Sequence, residues 1–192
     1  MNTRRRSHIE ELALTQLREY DLYPILPTTL YERCLAVDVE KIIIQKGIKL
    51  IPYDFGQDIS GVLLFDGSKA TIGYNKENGD SRRRFTMAHE LGHFVLNHQR
   101  RGIFVDTPEK YFPPKFRNKE SSTGEFLQEK EANAFAASLL MPDDLVLGAI
   151  ELIRDQKKYL LEDYNLAGEL AKYFWVSPQA MLFRLDNLDF FI

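Results

Sequence analysis

The chain predicts an α+β fold, with a small, mostly antiparallel sheet in its first half and helices before and after it. Three observations carry this prediction. Between Ile48 and Tyr74, three short apolar or β-branched stretches are separated by turn residues. From Arg82 onward the strongly periodic segments repeat at helical spacing. A length of 192 residues with 44% hydrophobic side chains is enough to bury one real core.

Each element has its own signal. Over residues 5–20, Ile9, Leu12, Leu14, Leu17 and Tyr20 make a rough apolar helix face, which Pro24 and Pro27 end. A second helix is predicted over 35–46, stopped by Gly47. Strands are predicted at 48–53, 61–65 and 69–74, with Asp66-Gly67 as the hairpin turn between the last two. From 82 to 98 the one helix breaker is Gly92, and Met87, Leu91, Phe94, Val95 and His98 share a stripe. Residues 99–125, with Pro108, Pro113, Pro114 and Gly124, are too long and broken for a routine connection and are expected to shape a cleft. An alanine-rich helix over 126–141 stops at Pro142. Helices follow over 144–162, over 166–174 and from Pro178. The expected organisation is a core of residues 1–143 with a helical segment, 144–192, packed on it as one compact unit.

Composition narrows the function classes. No apolar run approaches the roughly 18 residues of a membrane span. Arg4, Arg5 and Arg6 are followed by Glu10 and Glu11 where an export signal needs an apolar stretch, so no such signal is readable. Cys34 is the sole cysteine, which excludes an internal disulfide and a thiolate metal cluster and suits a reducing cytoplasm. Any metal must be held through imidazole and carboxylate. A net charge of −3 gives no general attraction to nucleic acid.

Within the predicted helix over 82–98 stands His89-Glu90-Leu91-Gly92-His93. Residues four apart lie on one helix face a turn apart, so His89 and His93 can bind one ion together. Glu90 lies beside them, where its carboxylate can take a proton from an attacking water without becoming a ligand. Catalytic zinc takes three protein ligands. A second helix offers Glu129-Lys130-Glu131-Ala132-Asn133. Glu129 can reach the ion while Asn133, one turn on, hydrogen-bonds a ligand histidine or its neighbour. Ala132, Ala134, Ala136 and Ala137 permit close approach of the two helices. Glu131 and Glu125 are the fallback ligands, and Glu131 points elsewhere if Glu129 faces the ion.

The run from Arg84 to His93, together with the run from Glu129 to Pro142, resembles the ImmA/IrrE family of metallopeptidases in motif order and spacing. Ile59-Ser60-Gly61 and Ile72-Gly73-Tyr74-Asn75 are similar to the family's strands, so the resemblance extends over about residues 9–188. It implies a zincin-like metallopeptidase domain and a cytoplasmic, bacterial or phage-borne protease that cuts a helix-turn-helix repressor. It implies zinc as cofactor, with manganese as an alternative ion. His89, His93 and Glu129 match the family's metal ligands, and Glu90 its catalytic glutamate. The radiation-response branch carries an additional C-terminal sensor domain, whereas this sequence stops at Ile192. A small immunity-type protease is the better expectation.

Other candidates are weaker. Residues 166–180 look like a helix-turn-helix, with Ser177 as N-cap and Pro178 in the first turn. The would-be recognition helix carries one basic residue, Arg184, against Asp186, so DNA contact through it is not expected, and Leu182, Leu185 and Leu188 are expected to be buried. His98, five residues past His93 and about 140° around a continuing helix, is not expected to be a ligand. His8 is expected on the surface, and Arg82, Arg83 and Arg84 are read as a solvated helix start. Tyr111, Tyr159 and Tyr164 are equal candidates for oxyanion stabilisation. The rival function is a DNA-binding regulator, or a toxin- or antitoxin-like interaction protein, with a non-catalytic metal site. An intact Glu90 argues against it, because structural zinc takes four protein ligands and no adjacent base.

Overall fold

The structure is a computed structural model and describes residues 1–65, 69–98, 103–106, 124–157 and 163–190. Helix α1 spans Thr3–Glu19, capped by the Asn2 side chain on Arg5 N, and α2 spans Val39–Gln45. Strands β1 (Lys49–Tyr53), β2 (Gly61–Phe65) and β3 (Ala70–Asn75) precede helix α3 (Asp80–Val95). Strand β4 (Ile103–Asp106) is followed by helices α4 (Gly124–Leu140), α5 (Asp143–Lys157), α6 (Asp163–Phe174) and α7 (Pro178–Asn187). The α+β class expected from the sequence is the observed one.

The four strands lie in the order β1-β3-β2-β4. Strand β2 is antiparallel to β3 and to β4, whereas β1 skips its sequence neighbour and pairs parallel with β3. Pro52 gives a reason for that edge position, since it cannot donate to a second ladder. Asp66-Gly67 lies outside the described residues. Strand β4 falls in the stretch read as irregular, because four residues between prolines and glycines are too short for an alternation signal to stand out.

Two helix ends differ from expectation for local reasons. Helix α2 starts at Val39 because the Asp38 side chain caps Lys41 N at 3.0 Å, while Leu35, at the end of a turn, donates its N–H to Tyr173 O at 3.0 Å. Helix α3 ends at Val95, and Asn97 takes a left-handed φ of 52°. Asn97 N then donates to Phe94 O at 3.1 Å and His98 N to His93 O at 3.0 Å. Those two bonds with a left-handed residue between them make a Schellman stop.

One apolar core runs from Ile9, Leu14 and Leu17 of α1 through Leu63 and Ile72 of the sheet to Met181 and Leu185 of α7. Helix α4 is wedged in it, with Ala132, Phe135, Ala136 and Leu139 buried. At the crossing with α3 the helices nearly touch. A methyl group at Gly92 would stand 3.0 Å from the Phe135 ring and 3.2 Å from Ala132 O. Small residues there let the two helices share a site.

Helices α6 and α7 form the expected pair, and Ser177 accepts a hydrogen bond from Ala180 N at 3.1 Å. Leu185 is buried, Leu182 and Leu188 are half-buried, and Met181 completes the stripe. Arg184 is 3% exposed and is spent on the core: it donates to Met141 O at 2.8 Å, to Ser138 Oγ at 3.3 Å and to Glu10. A guanidinium so held does not reach a phosphate. Arg184→Ala is expected to cost about 3 kcal/mol of stability, because it strips the partner from a largely buried carboxylate. Chemical denaturation measures the loss.

Candidate metal centre

His89 and His93 project from one face of α3, and Glu129 meets them from α4. The backbone dictates this meeting. A four-residue spacing brings the two imidazoles together one turn apart, edge to face, and the contact at Gly92 brings α4 close enough for Glu129 to reach them. His89 Nε2 and His93 Nε2 are 3.0 Å apart, and Glu129 Oε2 is 3.3 Å from the first and 3.6 Å from the second. Among the described residues, these are the His and carboxylate groups whose ligand atoms cluster as a metal site requires.

The separations test whether an ion fits. A tetrahedral zinc ion with bonds of about 2.05 Å holds its ligand atoms about 3.3 Å apart. The three observed distances bracket that value, and two imidazoles with a carboxylate are an ordinary donor set for zinc. The protonation states agree. Burial lowers His93 to about 4, against the opposing pull of Glu129, so the ring is neutral at neutral pH. Burial pushes Glu129 up, but the two imidazoles facing its carboxylate outweigh it and hold the carboxyl well below the usual range. Metal binding needs those forms.

Around the three groups stand further polar side chains. His89 Nδ1 is 2.9 Å from Asn133 Oδ1, the residue one turn beyond Glu129. Glu90 is 1% exposed on the same stretch of α3. The start of β2 packs on it: a methyl group at Gly61 would overlap Thr86 Cγ2 and stand 3.2 Å from Glu90 Oε1. Asn75 anchors the approach to β2 by donating to Gly56 O at 2.6 Å and Ile59 O at 2.9 Å. In the sequence Gly61 and Asn75 read as strand residues, since their role depends on what packs against them.

Glu131 lies away from the three ligand atoms, on Arg5 at 2.6 and 2.7 Å and on His98 Nε2 at 3.1 Å. The placement of His98 overturns the helical reading of that residue. The Schellman stop folds the chain back, so the His98 ring contacts His93 Nδ1 at 3.0 Å instead of standing 140° away from it. The Glu125 and Tyr164 side chains, with Tyr111 and Tyr159, lie outside what is described. His8 is exposed, as expected.

The arginine run is also corrected. Arg84 is 7% exposed, donates to Trp175 O at 3.2 Å and lies 4.7 Å from the centre of that ring. Burial lowers its pKa to about 10, with Asp38 and Glu40 pulling the other way. Arg82 donates to Ser60 Oγ at 2.8 Å, and Arg83 pairs with Asp80. A cavity of about 370 Å³ beside Arg84 and Trp175 is lined by Val37, Asp38 and Asp80 and shares no residue with the metal group. No helix among the described residues is long and apolar enough to cross a membrane.

An α+β fold with two histidines on one helix and a carboxylate on the next defines the class of HExxH metal-site domains. A family model, Peptidase_M78, described as the IrrE N-terminal-like domain, matches residues 44–186, and the chain belongs to that family. The chain is also 29% identical over 99 residues to "Uncharacterized immunity region protein 2" of Bacillus phage phi105. That match covers 52% of this chain and spans about half, 55%, of the phage protein's length.

Proposed function

We propose that this chain is a zinc-dependent endopeptidase that cuts a helix-turn-helix transcriptional repressor at one or a few sites. The observation that carries the reading is the triangle of ligand atoms at 3.0, 3.3 and 3.6 Å with Glu90 buried alongside it. Membership of a peptidase family and likeness to an immunity-region protein support a regulatory protease. His89, His93 and Glu129 would hold the ion. A bound zinc supplies Lewis acidity, which acidifies a water to a pKa of roughly 7 and polarises a carbonyl.

The chain's own groups do the rest. Glu90 accepts the proton of the attacking water on its carboxylate and delivers it to the leaving amine. Asn133 Oδ1 keeps the His89 proton on Nδ1, so Nε2 presents a lone pair. The substrate enters extended and adds to the side of β4 that pairs with no strand among the described residues, and the paired neighbour β2 begins at Gly61 beside Glu90. A folded repressor offers few segments that can do so, hence narrow specificity. Manganese would fit the same donors.

The test is direct. The purified protein is expected to carry about one zinc ion, and to cut a helix-turn-helix repressor encoded beside it while leaving casein nearly untouched. Chelation should stop cleavage and added zinc restore it. Metal-free protein that cleaves equally well would remove the metal from the mechanism, and an intact repressor whose regulation is nevertheless relieved would replace hydrolysis with sequestration.

A further inference from the structure

We infer that His98 and Glu131, with Arg5 holding Glu131, are positioning residues that fix the proton of His93 on Nδ1 and so turn its Nε2 lone pair toward the metal. The inference rests on the metal reading given above. With each imidazole neutral, the contacts leave one arrangement. The Glu131 carboxylate is acceptor-only, and Arg5 Nε and Nη2 donate to its two oxygens at 2.7 and 2.6 Å. His98 Nε2, 3.1 Å from Glu131 Oε2, must therefore carry the proton of that contact. A neutral imidazole has one N–H, so His98 Nδ1 is an acceptor. His93 Nδ1 stands 3.0 Å from it and must donate, which leaves His93 Nε2 bare, facing His89 Nε2 and Glu129 Oε2.

The fold builds this chain of contacts deliberately. The Schellman stop places the residue after Asn97 over His93, a site where an apolar contact ordinarily sits. Here two imidazoles meet instead, and the His98 side chain is 5% exposed. A plain staple between α1 and α4 would need Arg5 and Glu131 but no histidine. Asn133 does for His89 what His98 does for His93, so each metal-facing imidazole has its far nitrogen held. A histidine whose other ring nitrogen is held is a better ligand in orientation and in basicity.

Zinc affinity of the full chain, measured by competition with a chromophoric chelator, tests the inference without reference to cleavage. His98→Ala is expected to weaken zinc binding about 10- to 100-fold, and Glu131→Gln by less. His98→Asn places an amide oxygen where Nδ1 stood and is expected to recover most of the affinity. The visible spectrum of the cobalt-substituted protein should change in His98→Ala and return toward wild type in His98→Asn. A purely structural role would lower the melting temperature of all three variants and leave zinc affinity and the cobalt spectrum unchanged, and would overturn the inference. It is overturned equally if His98→Asn folds and binds zinc no better than His98→Ala. If the wild type itself binds no zinc, the metal reading fails first and the inference with it.

Discussion

Glu90→Gln is expected to keep its zinc and its grip on the repressor while cleavage falls about 10²- to 10⁴-fold, the usual worth of a positioned base. The substitution preserves size and hydrogen bonding in a site that is 1% exposed, so little else changes. Gln cannot take a proton from water, and none of the three ligand atoms belongs to Glu90. Mass spectrometry of the repressor after incubation, beside elemental analysis of the enzyme, reads both halves of the expectation. Equal cleavage by the two proteins would remove Glu90 from the mechanism. Loss of zinc in the variant would instead make it a ligand.

The second large effect belongs to Glu129. Glu129→Ala removes one donor of three and leaves two imidazole nitrogens 3.0 Å apart with no carboxylate to complete the triangle. Zinc affinity is expected to fall by more than the roughly 10- to 100-fold that an outer partner costs. Glu131→Gln should stay within that smaller range, because Glu131 reaches the ion only through His98 and His93. Chelator competition on both variants ranks the two carboxylates. A larger loss at Glu131 than at Glu129 would exchange their roles.

Much of the site was legible because it is written in helical spacing. Four residues per step bring His89 to His93 and Glu129 to Asn133 whatever the rest of the chain does. Alanines at 132, 134, 136 and 137 announced a close helix contact; 132, 136 and 137 are buried in α4 and Ala134 is half-buried. What stayed hidden depends on chain reversal and packing. His98 was placed by extending a helix that stops three residues earlier, and the signal that could have corrected it is Asn97, a residue that accepts the left-handed conformation of a helix stop. Arg84 reads as part of a solvated helix start and Arg184 as the one basic residue of a would-be recognition helix, yet both are buried on backbone oxygens contributed by distant segments. Gly61 carries no chemistry in sequence, and its importance is the room it leaves for Thr86 and Glu90.

The sequence by itself determined the class of fold, the helical register of the metal-binding residues and the family to which they belong, because periodicity and motif spacing are local properties of the backbone. Only the tertiary structure decided that β1 runs parallel to β3, that Arg184 serves the core, and that Arg5, Glu131 and His98 converge behind His93. Arg5 and Glu131 stand 126 positions apart in the chain. No local rule encodes such a meeting; it follows from burying the apolar face of α1 against α4, which brings Arg5 in the first turn of α1 into reach of Glu131 in the middle of α4.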